Sequence, residues 1–151
     1  MIVESIEIAR RPEEVFAYLD ELERHGEWQE EIVSSKLETE GPTRVGSRAT
    51  DTRRMPGGPR DITYEIVEHD PPRKTSFRGV DGPVRVVGTV TVEPLDDGSR
   101  LEVELSWAGD APQVLWAERI FTLDGEEMGF RLPLDLIRLA VARAPRPDDD
   151  V

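Results

Sequence analysis

The chain contains no cysteine, so disulfide frameworks, thiolate zinc sites and cysteine nucleophiles are excluded from the outset. Histidine is nearly absent too, occurring only as His25 and His69. Neither falls in a metal-ligand spacing, and HExxH is missing. A zinc site would therefore have to lean wholly on carboxylates. No metal and no other cofactor is expected. Lysine is confined to Lys36 and Lys74, and acid outweighs base. The formal net charge of −13 opposes nucleic acid or an anionic membrane as the main partner. Long apolar runs are lacking. "LPLDLIRLAVA", the longest, is too short to span a bilayer and carries Asp135 and Arg138. Glu4 and Glu7 interrupt the first apolar residues, where a secretory signal needs an unbroken core. Stable membrane insertion is not expected, and the cytoplasm is the expected location. The phosphate-loop patterns GxGxxG and GxxxxGKS/T and the serine elbow GxSxG are also missing.

What is present is alternation. In "MIVESIEIA", Ile2, Ile6 and Ile8 share one face, the period of a strand. Pro12 then suits the first turn of a helix, where its missing N–H is no loss, and Glu13 and Glu14 suit the positive end of the helix dipole. Val15, Phe16, Leu19 and Leu22 form the stripe of a helix buried on one side. A second short helix is predicted around "ELERH", ending at Gly26, with Trp28 turned back toward the body. Six strand-like stretches follow up to about residue 109, separated by Gly, Pro and Asp clusters. That spacing predicts an antiparallel meander. Leu101, Val103, Leu105 and Trp107 alternate with Arg100, Glu102, Glu104 and Ser106, so one face of the last strand must be buried. The covering element is expected to be "LPLDLIRLAVARA", read as a buried helix with few polar positions. Residues 111–132 read as either a broken helical run or a loop. Residues 1–144 form one expected domain, and the acidic 145–151 an expected disordered tail.

The order β-α-α-β6-α describes an α+β helix-grip fold, a curved antiparallel sheet of about seven strands wrapped around a C-terminal helix. At this point the sequence resembles the SRPBCC superfamily, also called START-like or Bet v 1-like, and within it the polyketide cyclase/dehydrase-like branch. "SIEIARRPEEVFAYL" with the distal Trp28, "YEIVEHDPPRKTSFRG" and "GTVTVEPLDDGSRLEVELSW" carry the likeness. The resemblance implies a cavity between sheet and C-terminal helix that holds a hydrophobic or aromatic small molecule, such as a lipid, quinone or polyketide-like compound. It also leaves open a cyclase/dehydrase without metal or nucleotide, and a protein-interaction module with a filled cavity. Members usually end in one long amphipathic helix. Gly125, Gly129 and Pro133 depart from that pattern, and a homodimer through the C-terminal region would cover the apolar surface left over.

Alternation also places polar groups among apolar ones. Val45, Ser47, Ala49, Asp51 and Arg53 are expected on one face, and Ile62, Tyr64 and Ile66 on another. If these faces are concave, Asp51, Arg53 and Tyr64 are the few placed polar groups of an apolar pocket. Arg53 would hold a carboxylate or enolate oxygen, and Tyr64 would donate to a carbonyl or act as general acid. The plainer alternative is an Asp51–Arg53 pair at a strand end, with Tyr64 in the core. Trp28, Met55, Phe77, Trp107, Trp116 and Met128 are the expected ligand-contacting walls, or else ordinary core. His25 and His69 read as a helix-end and a turn residue. An enzyme predicts that Arg53→Ala and Tyr64→Phe abolish turnover with little loss of stability.

Overall fold

Alternation becomes pairing in the computed structural model of the protein, which describes residues 2–29, 32–55, 58–82, 85–108 and 134–143. The strand β1 (Ile2–Ile8) leads into α1 (Pro12–Leu19) and a 3-10 helix (Leu22–Glu27). Then come β2 (Ile32–Leu37), β3 (Arg48–Met55), β4 (Gly58–Asp70), β5 (Lys74–Asp81), β6 (Arg85–Leu95) and β7 (Gly98–Ala108), followed by α2 (Leu134–Arg143). All strands join one antiparallel sheet in the order β1-β7-β6-β5-β4-β3-β2. This is the expected helix-grip arrangement. Residues 111–132, with Trp116 and Met128, and the tail 145–151 lie outside the described residues.

Because β1 and β2 occupy opposite edges, the segment between them has to cross the sheet. The two short helices make that crossing: α1 contacts β6 and β7, and the 3-10 helix contacts β2. Pro12 opens α1, Glu13 and Glu14 fill its first turn, and Val15, Phe16 and Tyr18 face the core. Gly26 does not end the second helix, as expected, but lies inside it. The tighter 3-10 winding continues to Glu27, where the Trp28 amide donates to the His25 carbonyl at 3.3 Å, and such a turn needs no left-handed residue.

The concave face carries the core. Leu101, Val103 and Leu105 are buried along β7 with Val92 of β6 and Ile8 of β1. Curvature comes from irregular pairing. The β4–β5 register shifts between Thr63 and Tyr64 and again between Ile66 and Glu68, and β2–β3 shifts near Ile32 and Ser34. Each such bulge bends its strand. Phe77 lies across Gly88, where a Cβ would sit 2.3 Å from its ring. Glycine is what lets the ring lie flat on β6. Val45, expected on the inner face of β3, is exposed, because the strand begins only at Arg48 and residues 45–46 form a turn.

The terminal helix corrects the reading of an all-buried segment. On α2, Ile137 and Val141 reach the core one turn apart, whereas Leu139 is 49% exposed. The described part of the helix packs against α1 and β1. Arg138 Nε donates to the Glu7 carbonyl at 3.0 Å, and Arg10 donates to the Ala142 carbonyl at 2.7 Å. Only one stripe is needed to cover that end of the sheet. Among the described residues no helix is long and apolar enough to cross a membrane.

Candidate ligand-binding site

Register decides which side chains meet. Ser35 of β2 stands opposite Asp51 of β3, Asp51 opposite Ile62 of β4, and Ala49 opposite Tyr64. Alternation and pairing together put Ser35, Asp51 and Tyr64 on the concave side. Asp51 is 1% exposed and Tyr64 8%. The Asp51 carboxylate accepts from Ser35 Oγ at 2.8 Å and from Arg53 at 3.2 Å. Arg53 also donates to Gln29 Oε1 at 2.9 Å. The pairing of Asp51 with Arg53 weighed from the sequence is therefore formed, and it is buried at its acidic end.

The 3-10 helix lowers two further residues toward this row. It is fastened at several points. Tyr18 donates to Glu27 at 3.2 Å, and Arg24 stacks 4.8 Å above the Tyr18 ring while bonding both Glu21 and Glu27. Burial, reinforced by the Glu27 charge, pushes the Tyr18 phenol up to about 12. At the end of α1, Asp20 takes His69 Nε2 at 2.9 Å on each carboxylate oxygen. His69 is thus a tie between α1 and β4, not merely a turn residue. Burial raises the Asp20 carboxyl although the bond to His69 opposes it.

So positioned, His25 and Trp28 stack at 5.4 Å between ring centroids. His25 Nε2 lies 2.8 Å from the Leu19 carbonyl. A carbonyl only accepts, so Nε2 carries the proton and Nδ1 of the neutral ring keeps a lone pair. Burial holds His25 below the ordinary imidazole range, and the nearby Arg53 charge acts in the same direction. The ring is therefore neutral at pH 7. Sequence reasoning missed this residue, because its neighbours Arg24 and Glu27 mark a polar helix end.

Two donors are left over. Trp28 Nε1 and Tyr64 Oη are sealed from solvent and have no hydrogen-bond partner among the described residues. Burial, followed by the Asp51 charge, raises Tyr64 above the usual phenol range, so its hydroxyl keeps its proton. Phe77 meets Tyr64 edge-on at 5.6 Å and packs against both buried apolar clusters. Trp107 stands opposite Val86 on the same face and is partly buried. Met55 is placed only as the last residue of β3, opposite Gly58. Of the expected site residues, the fold therefore gathers Asp51, Arg53, Tyr64, Trp28 and Phe77, and it adds His25, Gln29 and Ser35. No group of three metal-binding side chains occurs among the described residues.

Residues 2–126 match a family model described as polyketide cyclase / dehydrase and lipid transport. No curated protein matches the sequence. Among solved structures, a Thermus thermophilus protein is similar at 19% identity with a TM-score of 0.74, over 96% of this chain and 99% of that one. A START superfamily protein from Mycobacterium smegmatis is similar at 11% identity with a TM-score of 0.68, over 94% and 97%. The di-domain ARO/CYC protein StfQ of the steffimycin biosynthetic pathway is similar at 16% identity with a TM-score of 0.68, over 93% of this chain and 50% of its own length. At these identities the likeness is one of fold.

Proposed function

The chain belongs to the polyketide cyclase/dehydrase and lipid transport family, and from that membership we propose that it binds a hydrophobic or aromatic small molecule on the concave face of its sheet. One observation carries this reading. Trp28 Nε1 and Tyr64 Oη are buried donors without partners among the described residues, set against apolar side chains. A buried donor left unpaired costs free energy comparable to a lost hydrogen bond. A ligand with an acceptor oxygen, seated against Phe77 and Trp107, would remove that cost and bury its own apolar surface.

Native mass spectrometry of the purified protein tests the reading directly. An added mass that vanishes on denaturation is the expected result, and organic extraction would identify the class. For protein purified empty, a thermal-shift panel of quinones, fatty acids and aromatic ketones should contain a stabilising member, because a ligand bound only to the folded state raises its stability. No adduct and no shift would favour the interaction module with a filled cavity.

A second reading, an enzyme of the cyclase/dehydrase type, is favoured by the neutral imidazole of His25 in the same cluster as Tyr64. Arg53 is already engaged by Asp51 and Gln29, so the base in this reading is His25 Nδ1, with Tyr64 as the donor to the carbonyl. Deuterium exchange at the carbon beside a bound carbonyl, lost in His25→Gln, would distinguish the enzyme from the carrier. Dimerisation through the C-terminal region would use the exposed Leu139, and light scattering against concentration tests it.

A further inference from the structure

The charges around the two unpaired donors restrict what kind of ligand they can take. A carboxylate would satisfy Trp28 and Tyr64 as acceptor, yet it would bring a negative charge into the site. Among the described residues the cluster holds one buried carboxylate, Asp51, and one guanidinium, Arg53, which are bonded to each other at 3.2 Å. Arg53 spends a further N–H on Gln29. His25 is neutral, because its Nε2–H serves the Leu19 carbonyl and burial disfavours the second proton. Among the described residues no positive charge in the cluster therefore remains to offset a ligand anion, and the Asp51 carboxylate repels it. The chain as a whole adds a net charge of −13.

Resting on the binding reading above, we infer that the site selects neutral, oxygen-bearing ligands, with a ketone or quinone carbonyl accepting from Trp28 Nε1 and Tyr64 Oη, and discriminates against carboxylates of the same shape. The acceptor is required because indole N–H only donates, and a hydrocarbon would leave both donors unpaired. Neutrality is required because a desolvated carboxylate without a counter-charge is expensive to bury.

Three probes of one shape separate these demands: methyl 2-naphthyl ketone, 2-ethylnaphthalene and 2-naphthoate, titrated by calorimetry at pH 7.5. The ketone should bind tightest, with the hydrocarbon weaker and the naphthoate weaker than the ketone by roughly tenfold or more. Tyr64→Phe and Trp28→Phe should each erase much of the advantage of ketone over hydrocarbon, while circular dichroism shows both variants folded. Naphthoate binding as tightly as the ketone would overturn the inference and leave the binding reading standing. Equal affinity of ketone and hydrocarbon would overturn it as well. If none of the three binds but the wider panel yields a ligand, the inference fails alone; if nothing in the panel binds, the inference and the reading fail together.

Discussion

Asp51 and Arg53 meet at 3.2 Å from two positions apart on one strand, the acid sealed in the protein and the base with 20% of its side chain in solvent. The asymmetry matters for mutagenesis. Arg53→Ala leaves a buried carboxylate without its counter-charge, and removing one partner of such a pair costs about 3–5 kcal/mol. Urea denaturation should show a loss toward the lower end of that range, since water reaches Arg53. Arg53→Ala is thus a poor test of catalysis, contrary to what its place in the sequence suggests.

Tyr64 should respond in the opposite sense. Tyr64→Phe deletes a hydroxyl that bonds nothing among the described residues, so the empty protein should be unchanged or more stable by about 1 kcal/mol. A clear loss of stability in the same denaturation assay would mean that the hydroxyl is satisfied in the empty protein.

His25 makes stability depend on pH. Its folded pKa lies below the ordinary value of 6.5, chiefly through burial. Below pH 6.5 the unfolded chain therefore binds a proton that the folded one refuses, and stability falls as pH falls. Melting temperatures from pH 8 to pH 5.5 should drop more steeply for wild type than for His25→Gln, which can still donate to Leu19 and does not titrate. Parallel profiles would show that the imidazole is not held neutral.

Gly88 tests the packing of Phe77 against β6. Gly88→Ala drives a methyl into the Phe77 ring and should cost about 1–3 kcal/mol, as overpacking does. Phe77→Leu in the same chain should recover part of the loss, and a double-mutant cycle measures the coupling.

On α2 the two faces should separate cleanly. Ile137→Ala should cost about 2–5 kcal/mol by opening the core, whereas Leu139→Ala should stay within roughly 0.5 kcal/mol. Thermal melts of the two variants suffice.

How much of this could be read from the residues depends on the range of the interaction. β7 was legible because Leu101, Val103, Leu105 and Trp107 repeat the period of a strand, and α1 because Pro12 and the Val15–Phe16 stripe mark its start and inner face. Asp51, Arg53 and Tyr64 were legible as inward polar groups for the same reason. His25 was not, since its surroundings are set by Asp51 and Arg53 on a strand more than 20 residues away. Nor were the register shifts beside Tyr64 and Glu68, because a bulge adds no residue type of its own. The exposure of Leu139 depends on which neighbours reach α2, and composition is silent on that.

The pairing of β1 with β7 has a consequence during synthesis. Ile2 lies opposite Leu105 and Ile8 opposite Ser99, so β1, made before the other six strands of this sheet, is the last of them to find its neighbour. Every other pair joins strands adjacent in the chain, and such local contacts form early. The meander can assemble hairpin by hairpin while the N-terminal strand waits, kept from association by Glu4 and Glu7 as charged gatekeepers. Docking of β1 onto β7 is therefore a late step, and a ribosome-bound chain stopped short of residue 99 should present β1 to proteases while its hairpins are already formed.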